Sequence, residues 1–401
     1  MNFNPRILEI TNLEQAKAEL AKINCDPAGI AIMAPRTVFK TLKLENIPTR
    51  AAGLLKQTFL SKGGEVAVSR DTAGLGKDYT DVLICATIKQ YKQAVPRLKA
   101  QPWGLAKVAQ TIESILTISE SFPERHYSWP RHTLAIVPKR TLVMGILNVT
   151  PDSFSDGGKY NNIDVALRHV EEMIRDGADI IDVGAESTRP YNGANIVSAE
   201  EEMNRLLPLL EKVLAISSVP VSVDTYKASV AEEALKMGAH MINDVWGLQQ
   251  DPAMAAIVAK YGVPVFVMHN QEGTHYERDI MAHICSFLRD SIAIGVKAGI
   301  HPDNIIIDPG IGFGKTPTQN IAVMARLEEL KSLGCPILLA TSRKRFIGEV
   351  LNLPVEDRVE GTGATIALGI MKGSHIIRVH DVKPLARIAK MTDAMIRGDK
   401  D

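Results

Sequence analysis

Between Arg140 and Gly398 the chain repeats one pattern eight times: a short apolar run, a polar break, then a segment of helical periodicity. The apolar runs are Val143–Asn148, Ile180–Gly184, Val221–Asp224, Met241–Val245, Val265–His269, Ile305–Asp308, Ile337–Thr341 and Ile376–His380. The helical segments are Asp164–Asp176, Ala199–Ile216, Lys227–Met237, Ala253–Tyr261, Tyr276–Ala298, Asn320–Leu333, Gly361–Met371 and Lys383–Ile396. Strands covered on both faces read as unbroken apolar runs, and intervening helices allow parallel pairing. Eight such units predict an α/β chain built on a (β/α)8 TIM barrel. A doubly wound open sheet is the structural alternative.

The polar breaks fall where such a barrel carries its chemistry, at the carboxyl ends of the strands. They are Asn148, Glu186-Ser187-Thr188-Arg189, Asp224, Asn243-Asp244, His269-Asn270, Asp308, Ser342-Arg343-Lys344, and Arg378 with His380. Any one of these is commonly a helix cap or a turn former. Together they converge on one mouth.

The wording around those positions is specific. NVTPDSFSDGG (148–158), GAESTRP (184–190), SVDT (222–225), INDVWG (242–247), DPGIGFGK (308–315), SRKRFIG (342–348) and RVHDV (378–382) follow one another in order. This set resembles dihydropteroate synthase, the folate-pathway enzyme that joins a dihydropterin to para-aminobenzoate. The resemblance runs from about Arg140 to Gly398.

It implies the following roles. Asp224, Asn243, Asp308 and Lys344 hold the aminopyrimidinone edge of the pterin, Met268 lines its pocket, and Arg378 stacks on the ring. Carboxylates suit the N–H donors of that edge, and amide or cationic groups suit its acceptors. Arg378 and His380 meet the diphosphate, and Asn148 is a ligand of a Mg²⁺ ion bridging it. Ser342, Phe313, Phe154, Thr188 and Pro190 form the para-aminobenzoate site. Asp152 or Asp156 stabilises the pterin cation left when the diphosphate departs, and Arg189 belongs to the second loop over the site. Lys344, Arg378 and His380 complete the catalytic set. His269 reads as structural. The resemblance also implies a homodimer. A pterin-dependent methyltransferase or a non-catalytic pterin-binding protein is the alternative; neither needs the SFSDGG loop or both substrate sites.

Residues 1–130 lie outside the resemblance and read as a small α/β domain preceding the barrel domain of 131–401. Helices are expected at Leu13 to about Ile23, Thr49–Ser61, Thr87–Lys99 and Leu105–Ser119, with Pro96 kinking or splitting the third. Strands are expected at Gly29–Ala34, Val66–Val68 and Asp81–Cys85. Thr133–Val137 and Thr141–Val149 are candidates for a hairpin closing the bottom of the barrel. No catalytic constellation is legible in this extension: GGEVAVSRD lacks the glycine turn into a lysine and helix of a phosphate loop.

Of the 401 residues 45% are hydrophobic, enough for a large core, and the formal net charge is zero. Neutrality argues against a general nucleic-acid binder. Cys25, Cys85, Cys285 and Cys335 fit neither a disulfide framework nor a zinc site, and no apolar run reaches membrane-spanning length. A cytoplasmic enzyme of small-molecule substrates is the expectation.

Overall fold

The computed structural model describes residues 3–74, 76–120, 122–148, 159–185 and 197–397, with the backbone alone for 159–162. The chain forms two compact units that divide between Phe122 and Pro123.

The first unit runs α1 (Leu13–Lys22), α2 (Pro27–Thr37), β1 (Phe39–Pro48), α3 (Thr49–Leu60), β2 (Glu65–Val68), β3 (Tyr79–Thr87), α4 (Ile88–Lys99) and α5 (Leu105–Glu120). Its strands form an antiparallel sheet in the order β1-β3-β2. Leu44, Val66, Val82 and Ile84 pack on Leu55 and Phe59 of α3, Tyr91 and Leu98 of α4, and Ile112 of α5.

Two local expectations need correcting, and one strand was missed. Gly29–Ala34 is helical rather than a strand, because Asp26 caps Gly29 N–H and Pro27 starts the helix. Pro96 sits inside one continuous α4 on its exposed side, where water can take the carbonyl that the proline leaves unpaired. The ten-residue β1 was not foreseen; its inward Leu42, Leu44 and Ile47 are interleaved with charges and interrupted by a register shift.

The second unit opens with β4 (Arg125–Trp129) and β5 (His132–Ile136), a hairpin turned by Pro130-Arg131. The expected hairpin paired the second of these strands with the next one instead. That next strand, β6 (Leu142–Asn148), is parallel to its neighbours and belongs to the barrel. The hairpin does lie at the bottom. Tyr127 donates to the Asp303 carbonyl (2.7 Å), His132 bonds the Ser217 carbonyl (3.1 Å), and Trp129 meets the His240 ring edge-on at 5.2 Å. All three partners lie just ahead of barrel strands.

The barrel continues with α6 (Lys159–Arg175), β7 (Ile180–Gly184), α7 (Ala199–Ile216), β8 (Val221–Asp224), α8 (Ala228–Lys236), β9 (Met241–Asp244), α9 (Met254–Tyr261) and β10 (Val265–Met268). It then runs α10 (Ile280–Ala298), β11 (Ile305–Asp308), α11 (Pro317–Ala325), β12 (Leu338–Leu339), α12 (Arg345–Leu351), α13 (Val359–Met371), β13 (Ile376–Val379) and α14 (Val382–Arg397). The eight strands from β6 to β13 pair in parallel in chain order. β12 is only two residues long, and the ring closes through Ile307–Ile337 and an Ile307 N–H bond to Pro336 O of 2.9 Å. Strand and helix side chains merge in one continuous core, with Val183, Val223 and Ile307 among its fully buried members. The expected helix Asn320–Leu333 is two pieces, α11 and a 3-10 stretch at Leu327–Leu333.

Candidate active site

Strand register lines up the first polar row. Asn148 pairs with Gly184, Gly184 with Asp224, and Asp224 with Asn243. Gly184 lets the row close up, since a β-carbon there would lie 3.2 Å from that of Asp224. Below the row, Asp182 of β7 is fully buried. From β13, Arg378 donates Nε to Asp182 Oδ2 and one Nη to Asp224 Oδ2, each at 2.6 Å. Asn243 donates to the same Asp182 oxygen at 3.1 Å. The second oxygens, Oδ1 of Asp182 and of Asp224, are buried without a hydrogen-bond partner.

Charges in this network are set by competition. Burial opposes the Arg378 charge, but Asp182 and Asp224 outweigh it and hold the guanidinium protonated. Burial pushes the Asp224 carboxyl up; Arg378 resists, while Asp182 adds to the push. Asp308, level with Met268, is pushed up to about 6 by burial against the Gly310 N–H and the charges of Lys344, Lys315 and Arg378.

Beyond Asp308 the chain makes a glycine-rich turn that brings Phe313 back over the mouth. Asp308 accepts the Gly310 N–H at 2.7 Å, and Asn320 accepts the Gly312 N–H at 2.7 Å. Phe313 packs with Met268, Val245, Tyr226 and Trp246 in a separate apolar cluster. Lys344 Nζ lies 4.2 Å from the centre of the Phe313 ring, a cation–π contact. Gly312 has φ +84°, and a β-carbon there would come within 2.9 Å of Lys344 Cδ.

The third part follows β12. The Ser342 hydroxyl accepts the His380 backbone N–H at 3.1 Å and bonds His380 Nδ1 at 3.0 Å. Both contacts seat the His380 ring against the end of β12. Arg343 between Ser342 and Lys344 is left-handed, with φ +58°. Such a backbone costs roughly 1–3 kcal/mol unless its surroundings enforce it. Here Asp381 grips the guanidinium in a fork (2.9 and 2.5 Å), Thr362 accepts the Arg343 N–H, and Arg358 donates to its carbonyl. Ser342 and Lys344 therefore face different parts of the site.

Among the described residues no group of three or more His, Cys, Asp or Glu side chains is disposed to hold a metal. Asn148 ends β6 as its exposed member.

Residues 144–380 match the model of the pterin binding enzyme family. A dihydropteroate synthase of Bacillus subtilis is 59% identical over 258 residues, covering 64% of this chain and 90% of its own. The chain belongs to the dihydropteroate synthase family. A dihydropteroate synthase of Clostridium difficile, solved in the presence of pteroic acid, superposes with a TM-score of 0.63 at 53% identity. It covers 65% of this chain and 98% of that one. A probable bifunctional folylpolyglutamate synthase/dihydropteroate synthase of Halobacterium salinarum is 36% identical over 396 residues. That match takes in 97% of this chain, which spans about half (47%) of the relative.

Within the family reading, Asp224, Asn243, Met268, Asp308, Phe313, Ser342, Lys344, Arg378 and His380 stand at the carboxyl ends of β8 to β13. Asp152, Phe154, Asp156, Thr188, Arg189 and Pro190 lie outside the described residues. Sequence reading passed over Asp182, which sits mid-strand, and Trp246, which was quoted in its motif but given no role. The signal for Asp182 was a lone carboxylate inside an apolar run, which burial makes costly without a partner.

Proposed function

We propose that the chain is a dihydropteroate synthase, condensing 6-hydroxymethyl-7,8-dihydropterin diphosphate with para-aminobenzoate to give 7,8-dihydropteroate and pyrophosphate. The observation that carries this reading is the unsatisfied buried oxygen of Asp224 beside Asn243, Asp308 and the cationic groups. An aminopyrimidinone edge offers N–H donors to such carboxylates and acceptors to Asn243 and Lys344. Met268 and Phe313 supply apolar walls, and the Arg378 guanidinium, steadied by two carboxylates, offers its flat face to the ring.

The reaction breaks the bond from the exocyclic methylene carbon to the diphosphate oxygen. It forms the bond from that carbon to the amine nitrogen, and one amine proton leaves. Positive charge from Arg378 and hydrogen bonding from the His380 imidazole stabilise the departing diphosphate. Ser342 and the start of α12 take the para-aminobenzoate carboxylate, with Phe313, Phe154, Thr188 and Pro190 around its ring. Asp152 or Asp156 supports the pterin cation, and Arg189 closes over it. Asn148, the exposed end of β6, would give one amide oxygen to a Mg²⁺ ion. It supplies charge compensation on the leaving group when bound.

The reading includes a barrel domain after an N-terminal extension, divided between Phe122 and Pro123 rather than at 130/131 so that the β4–β5 hairpin stays whole, together with a cytoplasmic location and a homodimer. Leu368 and Met371 of α13 and Met391, Met395 and Ile396 of α14 are exposed on helices packed together, which favours an interface there. No described helix is long and apolar enough to cross a membrane. The test is product formation by purified protein given both substrates and Mg²⁺, with Lys344→Ala and Arg378→Ala as controls. Dihydropteroate from the parent alone supports the reading; pterin binding without turnover turns it toward a methyltransferase or a sensor.

A further inference from the structure

Lys315 closes the DPGIGFGK motif and is only 1% exposed. Its Nζ lies 2.9 Å from three acceptors: His269 Nδ1, Gly310 O and Phe313 O. Those contacts use all three ammonium protons. The turn they grip carries one backbone hydrogen bond of its own, from Phe313 N–H to Gly310 O at 3.1 Å, and its Gly310, Gly312 and Gly314 all have positive φ. It lies directly on the end of β10; a β-carbon at Gly310 would come 1.9 Å from His269 O. Tyr276 and Asn320 hold the flanks through Gly314 O and Gly312 N, but the Phe313 carbonyl is reached by Lys315.

We propose that Lys315 is a positioning residue for the para-aminobenzoate wall: anchored on His269, it fixes the Phe313 backbone and so sets the Phe313 ring and the Lys344 ammonium that rests on it. The proposal rests on the synthase reading above. The line of contacts, His269 to Lys315 to Phe313 to Lys344, crosses the ends of β10, β11 and β12. Lys315 itself acts only through others. Burial pulls its pKa down to about 7, with the Asp308 carboxylate opposing the fall and the Lys344 ammonium adding to it. Burial and Lys315 push the His269 pKa far down, so His269 meets the ammonium as a neutral acceptor. A buried ammonium is an expensive way to staple a loop unless all its protons are used, as they are here.

The experiment measures steady-state kinetics and pterin affinity in Lys315→Met, His269→Leu and His269→Gln. Lys315→Met is expected to raise the para-aminobenzoate KM by about tenfold or more, a cost typical of a misplaced wall. The affinity for the pterin diphosphate should fall by a smaller factor than the para-aminobenzoate KM rises, since Lys344 shifts with Phe313 while Asp224, Asn243 and Asp308 keep their places. His269→Leu should reproduce the KM rise, and His269→Gln, which retains an acceptor, should recover most of it. The double variant Lys315→Met/His269→Leu should be no worse than the poorer single one. A kcat that falls with the folded fraction at unchanged KM overturns the proposal, as does an additive double variant. If Lys315→Met fails to fold, the His269 pair decides alone: equal KM values for Leu and Gln overturn it. A parent enzyme that makes no dihydropteroate refutes the synthase reading instead, before any variant is compared.

Discussion

Arg378 and Asp182, 196 residues apart in sequence, are joined by a 2.6 Å hydrogen bond inside the barrel. The same guanidinium reaches Asp224, so one cation spans two carboxylates and Asn243 completes the group. Asp182 is therefore the fixed anchor of a side chain whose other partner, Asp224, belongs to the ligand edge.

Replacing that anchor tests the relationship. Asp182→Asn keeps the shape and removes the charge. A hydrogen bond to a charged group is worth roughly 1.5–3 kcal/mol, so kcat/KM should fall about 10- to 150-fold. Pterin affinity and kcat/KM, measured together with the melting temperature, check it. Unchanged kinetics in a stable variant would remove Asp182 from the site.

Gly312→Ala should be folded but impaired. Its left-handed backbone strains any side chain, and the new methyl would meet Lys344 Cδ at 2.9 Å. Lys344 is the far part of a flexible chain and can yield, so the loss appears in binding more than in stability. We expect about a tenfold weaker pterin affinity and a melting point lowered by a few degrees. Calorimetry of ligand binding distinguishes this from global destabilisation.

Ligand binding should depend on pH. Asp308 is held up to about 6 by burial, and Asp224 is pushed up as well. Below those values the carboxyls carry protons and cannot accept the pterin N–H groups without losing them. Affinity for a pterin lacking the diphosphate should thus rise from pH 5 to pH 8, by at most about tenfold per pH unit for each proton released. The unphosphorylated ligand removes the diphosphate's own titration. A flat profile in the parent, or one as steep in Asp308→Asn, would contradict this assignment.

The barrel unit should stand without residues 1–122. Its core closes on itself, and the Bacillus subtilis relative matches only 64% of this chain across 90% of its own length. A fragment beginning at Pro123 is expected to fold and turn over. One beginning at Arg140 loses Tyr127, Trp129 and His132 from the barrel floor and should melt several degrees lower, since each removed contact carries about a kcal/mol or more. Thermal melts of both fragments provide the check.

The barrel was legible because its signal is redundant: eight apolar runs, eight helices and a polar residue at each strand end agree. Local ambiguities arose where one signal stood against another. In GIAIMA the apolar run was read as a strand, while Asp26-Pro27 before it dictated a helix. At Pro96 the breaker was real but fell on the wet side of α4, where its cost is small. Site residues at strand ends were found by their position. Asp182 was missed because its importance comes from Arg378, 196 residues later, and no local pattern encodes that partnership. Lys315 looked like the tail of a loop motif; only the fold brings His269 against it.

The unpartnered oxygen of Asp224, on the ligand edge, also bears on inhibitor choice. A compound that fills the site with C–H where the pterin has N–H leaves it dry and unmatched, however well its shape agrees. Rejection of near-isosteres then comes from what the ligand fails to offer, and is steeper than the loss of a methylene contact would give. Scaffold changes that preserve the donor edge should be forgiven, and a single nitrogen-to-carbon exchange along it should not.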